Sequence, residues 1–221
     1  MRQTAITRPR YSSFYYQALY RLRLAFWNSF ETDAGLIELI EGPSALPPGK
    51  ALDLGCGNGR NAAYLARHGW QVTGIDSNEP AVAQARKRGS SAGGAVRIVH
   101  GDVTELESLG LGSDCSLYID YGCYHSLAQD VRIGYARAVT AVAAPGAILW
   151  MWGREARGRG GMSKAELEER FPQWNIVSAV RAPDEIRLEP GRASLVQRYV
   201  AKKMASPDMP PGWRYLLTRR G

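Results

Sequence analysis

The chain has 221 residues, 45% hydrophobic and 22% charged, with a net charge of +7. That length and composition suit one domain with a sizeable core and exclude a disordered chain. Three cysteines (Cys56, Cys115, Cys123) without a C-x-x-C pair argue against a disulfide framework or zinc site, and His68, His100 and His125 lack metal-ligand spacing, so no metal is expected.

In chain order, the aromatic-rich stretch YSSFYYQALYRLRLAFW reads as an amphipathic helix ending near Trp27, and GPSALPPGK leads from it into the first strand. From there apolar runs alternate with helical patterns. Strands are expected at 51–54, 71–76, 96–100, 116–120, 147–153, 175–181 and 213–219, and helices at 60–68, 80–87, 129–143 and 164–171. Gly69 suits a C-terminal cap, Ser77 or Asn78 precedes Pro80 at a first helical position, and Ser163 with Glu166 forms a capping box. Residues 182–212 separate the last two strands with five prolines and a short helix in RASLVQRYVAKKMA. Strands alternating with helices imply an α/β fold with a doubly wound, mostly parallel sheet. The whole chain, 1–221, reads as a single domain. Its core is 47–181 with 213–221, residues 1–46 form a helical lid, and 182–212 are an insertion suited to covering a substrate.

No apolar run is long enough to cross a bilayer, and the most apolar one, AVTAVAAPGAILWMWG, breaks at Pro145-Gly146. The N-terminal arginines have no apolar segment behind them, so no secretory signal and no membrane association are expected, and the assignment is cytoplasmic. The basic excess sits at the ends, with five arginines and no acid in 1–23 and six Lys/Arg against one Asp in 198–221. A solvated basic face is the first reading and a polyanionic partner the second. No sequence feature sets an oligomeric state.

The stretch ALDLGCGNGRN, residues 51–61, reads as strand, tight turn and helix. Three readings are open: a turn without a ligand, a dinucleotide cradle, or a site for S-adenosylmethionine. A dinucleotide fingerprint, G-x-G-x-x-G, needs glycine at position 60, where Arg60 stands; the spacing is Gly55-x-Gly57-x-Gly59. Asp53 beside the loop would repel a pyrophosphate but can orient the loop or meet a ligand's ammonium. Asp76 ends the second strand, placed to accept from two ribose hydroxyls, and Asp102 follows the third.

Asp53, the three glycines, Asp76 and Asp102, in this order and between these elements, resemble the class I S-adenosylmethionine-dependent methyltransferases over about residues 48–153. The resemblance implies a Rossmann-like, seven-stranded sheet, mostly parallel with an antiparallel last strand, and S-adenosyl-L-methionine as cofactor. It implies cofactor contacts from Asp53, Gly55, Cys56, Gly57, Asp76 and Ser77, with Asp102 receiving the adenine amine and Val103 beside the ring. Asp120 is placed near the methionine end or orients its loop. Trp27, with Tyr15, Tyr16 and Tyr20, forms an aromatic lid or packs in the core.

YIDYGCYHSL, residues 118–127, stands where this family places substrate chemistry. It lacks the Asn/Asp-Pro-Pro-aromatic run of enzymes that methylate nucleic-acid amines, so a nucleic-acid partner is not expected. The run is similar to the small-molecule branch: thiopurine, thiol or halide, and tellurite-resistance methyltransferases. Tyr121 replaces the arginine of the thiopurine pattern. A small soluble acceptor is implied, with sulfur favoured over oxygen or nitrogen. The alternatives are a nucleic-acid methyltransferase and a noncatalytic S-adenosylmethionine-binding protein. His125 is the general-base candidate, or else a histidine hydrogen-bonded at a helix start. Asp120 is the second catalytic candidate. Cys123 reads as a small packed residue. Trp150 and Trp152 are expected on opposite faces of the fifth strand, one packing and one lining the acceptor site.

Overall fold

Seven strands form one sheet: β1 (Lys50–Leu54), β2 (Gln71–Asp76), β3 (Val96–His100), β4 (Leu117–Tyr121), β5 (Ile148–Arg154), β6 (Trp174–Arg181) and β7 (Gly212–Arg219). The computed structural model describes residues 13–22, 24–93, 95–156, 161–183, 187–189, 191, 194–206 and 208–221. The strand order is β3-β2-β1-β4-β5-β7-β6. Neighbours pair in parallel from β3 to β5, and β7 enters antiparallel between β5 and β6. The expected mostly parallel sheet with a reversed last strand is what the chain builds. The order reverses between β1 and β4, which opens a crevice at their C-terminal ends.

Side-chain alternation along the central strands divides the core. Leu52, Leu54, Tyr118, Leu149 and Met151 pack in one cluster with Tyr135 and Val139 of α5 (Gln129–Val142) and Leu167 of α6 (Lys164–Arg170). Ala51, Leu117, Ile119 and Trp150 face the other way, onto Leu36 and Ile40 of α2 (Ala34–Glu41) and Ala62, Ala63 and Leu65 of α3 (Arg60–Arg67). Trp152 packs against the second cluster as well. The two tryptophans therefore share one face, which corrects the expected split: residues two apart in a strand point the same way.

The N-terminal segment also departs from expectation. Helix α1 (Ser13–Arg21) stops well before Trp27, because the amides of Leu24 and Ala25 both turn back to the Leu19 carbonyl at 2.8 and 3.2 Å. A 3₁₀ turn, Phe26–Ser29, then carries Trp27, and α2 follows as a helix the sequence reading omitted. Asp33 caps α2 by accepting from Gly35 N at 2.7 Å, and Leu36 and Ile40 anchor it.

The segments outside the core join each other. Phe30 bridges Leu188, with Glu31 N to Arg187 O at 2.9 Å and Glu189 N to Ser29 O at 2.7 Å. Helix α7 (Leu195–Met204) packs on the Phe26–Ser29 turn. Arg154, at the end of β5, donates to Met204 O at 3.0 Å and Pro210 O at 2.6 Å. The remaining helix, α4 (Glu79–Ser90), packs on α1 and β3. Among the described residues no helix is long and apolar enough to cross a membrane, and no cluster of three potential metal ligands occurs.

Candidate active site

The crevice holds a cavity of about 720 Å³, within the usual range for small-molecule sites. Its floor is the loop after β1. Gly57 has φ of +55°, and a Cβ there would fall 2.7 Å from Tyr20 Oη, so both backbone conformation and the overlying ring require glycine. Gly57 N donates to Asp76 Oδ2 and Asn78 N to Asp76 Oδ1, each at 2.8 Å. Burial raises the Asp76 carboxyl above its ordinary value, and these two N–H groups act against that rise. Cys56 N bonds Ile75 O at 2.9 Å, tying the loop to β2, and burial pushes the Cys56 thiol well up, which leaves it inert.

Asp53 is 2% exposed, and its Oδ2 has no hydrogen-bond partner. Desolvation pushes its carboxyl up to about 7; the Arg60 guanidinium pulls back, and Asp120 adds to the rise. Ser77 and Val103 line the cavity near Asp76 and Asp102. Asp102 Oδ1 accepts from Thr104 N and Oγ1, both at 2.8 Å, which leaves its other oxygen to the cavity. Overhead, Trp27 Nε1 donates to Tyr20 Oη at 3.0 Å, and Tyr16 meets the Trp27 ring edge-on at 5.5 Å. The Tyr15 side chain lies outside the described residues.

The other end of the cavity is aromatic. Tyr121 stacks on Trp152 with centroids 4.7 Å apart, and His125 meets Trp152 edge-on at 5.9 Å. His125 lies in the 3₁₀ turn Tyr124–Ser126, and Arg132 holds that turn by donating to His125 O at 2.8 Å and Leu127 O at 3.0 Å. Desolvation, then Arg132 and Arg154, lower the imidazole to about 4. It is neutral at physiological pH, and its Nδ1 has no partner. Met204, Met209 and Pro210 close this end from the insertion.

Asp120 stands apart. It is fully buried and faces away from the cavity: Oδ1 accepts from Cys123 N at 2.9 Å, and Oδ2 from Tyr124 N at 2.9 Å and Tyr135 Oη at 2.7 Å. Burial still raises its carboxyl to about 6. Asp120 is the one predicted site residue that does not line the cavity, which speaks against both ligand contact and a catalytic role and for the orienting one. Its bonds orient the loop that carries Cys123 and His125.

Sequence reasoning missed two polar residues of the glycine loop. Asn58 Nδ2 donates to Asn28 O at 3.2 Å. Arg60 Nη1 donates to Trp27 O at 3.1 Å and Phe30 O at 3.3 Å, with its guanidinium 4.7 Å above the Tyr121 ring. The available signal was that RNAAYLAR contains no acid to pair with Arg60. The partnerless Asp53 oxygen, the Gly57 cradle and the Asp76 and Asp102 carboxylates suit an adenosine ligand with an ammonium-bearing tail, and so fit S-adenosylmethionine.

Residues 51–146 match the methyltransferase domain family. A 2-heptyl-1-hydroxyquinolin-4(1H)-one methyltransferase of Mycobacteroides abscessus is 30% identical over 122 residues, 55% of this chain and 52% of its own length. A probable S-adenosyl-L-methionine-dependent methyltransferase, TehB of Haemophilus influenzae, is 40% identical over 58 residues, 26% of this chain and 20% of its own. The chain thus spans about half, or less, of these curated relatives. A protein solved in work on the conversion of a disulfide bond into a thioacetal group during echinomycin biosynthesis superimposes with a TM-score of 0.73 at 21% identity, covering 95% of this chain and 92% of that one. That likeness is one of fold.

Proposed function

We propose that this chain, whose residues 51–146 match the methyltransferase domain family, is a class I S-adenosylmethionine-dependent methyltransferase that methylates a small acceptor, with sulfur favoured as the receiving atom. When bound, S-adenosylmethionine supplies an electrophilic methyl group on a sulfonium. The chain's task is to hold both reactants, align them and exclude water. Asp53, Asp76 and Asp102 are assigned to ammonium, ribose and adenine amine, with Gly55, Cys56, Gly57, Ser77, Val103 and Trp27 around them. The acceptor is assigned to the end walled by Tyr121, Trp152 and His125.

One observation carries the preference for sulfur. His125 is neutral but weakly basic, near 4, and no carboxylate orients it among the described residues. Such a base assists an acceptor that ionises readily, as a thiol does near 8.5, and is poorly matched to an alcohol. The flat aromatic wall suits a planar acceptor, and the relative named for a hydroxyquinolone supports that shape.

The test is incubation with labelled S-adenosylmethionine and a pool of small thiols, phenols and amines, read by mass spectrometry. A methylated thiol is expected. Methylation of phenols or amines alone would reject sulfur, and methylation of nucleic acid alone would reject the small acceptor. Tight cofactor binding with no product from any of these would favour a noncatalytic role.

A further inference from the structure

Arg132 and Glu166 do not line the cavity, yet both reach the turn that carries His125. Arg132 is fully buried. Its Nη2 and Nε bond the His125 and Leu127 carbonyls, and its Nη1 donates to both oxygens of Glu166 at 3.0 Å. The guanidinium stands 5.1 Å from the centre of the Tyr124 ring. Glu166 also touches the turn directly, where Oε1 accepts from Tyr124 Oη at 3.1 Å. Ser163 caps α6 by accepting from Glu166 N at 3.2 Å, so the carboxylate is presented from the first turn of a fixed helix. Arg170 Nε, one turn further on, stands 3.5 Å from the same carboxylate.

The opposite side of His125 is set by β5 and the segment that follows it. A Cβ at Gly153 would fall 3.0 Å from both His125 Cβ and Nδ1, and 2.9 Å from Met162 Cε, so glycine leaves room for the imidazole. Gly161 N donates to His125 O at 3.4 Å, and Met162 beside it is fully buried. The chain leading from β5 into α6 therefore closes on His125 as well. Because Nδ1 has no partner, the ring is placed by the backbone of its turn and by this packing. A buried ion pair adds little stability over apolar residues of the same volume. A pair whose two members both end on one turn is better explained by geometry than by stability.

We propose that Glu166, acting through Arg132, is a positioning residue for the acceptor wall: the pair fixes the turn so that His125 stays against Gly153 and Trp152. The inference rests on the reading above that gives this end of the cavity to the acceptor. It ties the connection between β5 and β6 to the acceptor, since no hydrogen bond of either residue reaches a group assigned to the cofactor.

The test is histidine side-chain NMR on the full chain, with His125→Ala assigning the signal, and it needs no turnover. The charged groups on the elements packed around the imidazole are Arg132 of α5, Glu166 and Arg170 of α6, Arg154 of β5 and Asp120 of β4. Desolvation outweighs the charges in keeping the ring neutral, so wild-type His125 should not titrate above pH 5. Glu166→Ala should loosen the turn, admit water to the ring and bring its titration above pH 5, toward the roughly 6.5 of a free imidazole. Charge alone predicts the opposite sign, because removing an anion beside Arg132 disfavours imidazolium. Arg132→Lys keeps the charge but lacks the planar fork that spans two carbonyls and a carboxylate. It should release the ring in the same way, and it decides the matter if Glu166→Ala does not fold. Glu166→Gln keeps an acceptor for Arg132 and Tyr124 and should restore most of the wild-type behaviour. Affinity for S-adenosylhomocysteine should stay within about threefold of wild type in each folded variant. A lowered urea midpoint with the ring still untitrated above pH 5 would make the pair merely structural and overturn the proposal. Parallel loss of S-adenosylhomocysteine binding would mean that the pair supports the whole crevice, and would overturn it too. A wild-type ring that titrates above pH 5 would overturn it without any substitution. If the wild type bound no S-adenosylhomocysteine, the cofactor reading would fail, and the NMR result alone would decide the positioning.

Discussion

With Asp53 assigned to the ligand's ammonium, ligand binding is expected to depend on pH in the neutral range. Its carboxyl sits near 7 in the ligand-free protein, so about half the molecules carry a proton there at neutral pH. An ammonium bound at Oδ2 favours the ionised form, and binding must therefore expel the proton. The affinity for S-adenosylhomocysteine should fall roughly 20-fold between pH 7.5 and 5.5, approaching tenfold per unit at the acid end. Calorimetry at pH 6.5 in two buffers of different ionisation enthalpy should detect release of roughly three-quarters of a proton per ligand. Asp53→Asn should bind more weakly at pH 7.5 and lose the slope. The same shift governs stability in the opposite sense. A folded value above the unfolded 3.8 gives a contribution that is complete below about pH 4 and is lost as pH rises through 7. Asp53→Asn should therefore unfold at higher urea than wild type at pH 8, by less than the ceiling of about 4 kcal/mol set by the shift. A flat affinity profile in the wild type, or a slope retained in Asp53→Asn, would refute the assignment of Oδ2 to a cation.

His125→Ala should reduce kcat on a thiol by less than about tenfold but on a phenol by about a hundredfold or more, measured at saturating cofactor. Because the imidazole titrates near 4, the wild-type kcat profile should show no imidazole step between pH 5 and 8. Asp120→Asn keeps one acceptor oxygen where three donors converge, so it should cost about 2–3 kcal/mol in chemical denaturation with little change in cofactor affinity; unchanged stability with lost turnover would mean that Asp120 acts on the reactants. Gly57→Ala should cost about 1–2 kcal/mol in backbone strain and weaken S-adenosylhomocysteine binding by displacing Tyr20. Adding Tyr20→Phe should restore part of that affinity, as read by calorimetry.

The strands were legible because each is a short apolar run bounded by turn chemistry, and no strand boundary differs from expectation by more than a single residue. The lining of the cavity was legible for a related reason: glycines that must adopt positive φ and acids at strand ends appear in the sequence as themselves. Features set by tertiary contact were less so. The amphipathic pattern runs on past Arg21, but the helix stops there because Leu19 O captures the next turn. Helix α2 did carry a signal, in Asp33 ahead of LIELI with Gly42 behind, and its omission was a failure to weigh a cap. The Trp150 and Trp152 error ran against the strand period itself. Asp120 could not be placed from sequence, since an acid ending a strand can face either the crevice or the helix layer. Only the three donors around it decide between them.

Polar atoms left without partners separate what the protein holds by itself from what it leaves to a ligand. Asp76 and Asp102 are fixed by backbone amides, so their positions are set before anything binds. Asp53 Oδ2, Asn78 Nδ2 and His125 Nδ1 belong to residues lining the same cavity, are buried, and have no partner. Each such atom costs the ligand-free protein about 1–3 kcal/mol. Unpartnered polar atoms also occur away from the cavity, as at Trp70 Nε1 and Asn28 Oδ1, but three of them belong to residues around this one, which suits a site left for a ligand. Their chemistry also differs, with an acceptor at Asp53, a donor at Asn78 and an imidazole at His125. A single ligand type with one polar end would leave some of them unanswered. A cofactor and an acceptor bound together would answer all three, and on this reasoning stabilisation of the protein by both ligands should exceed the effect of the cofactor alone.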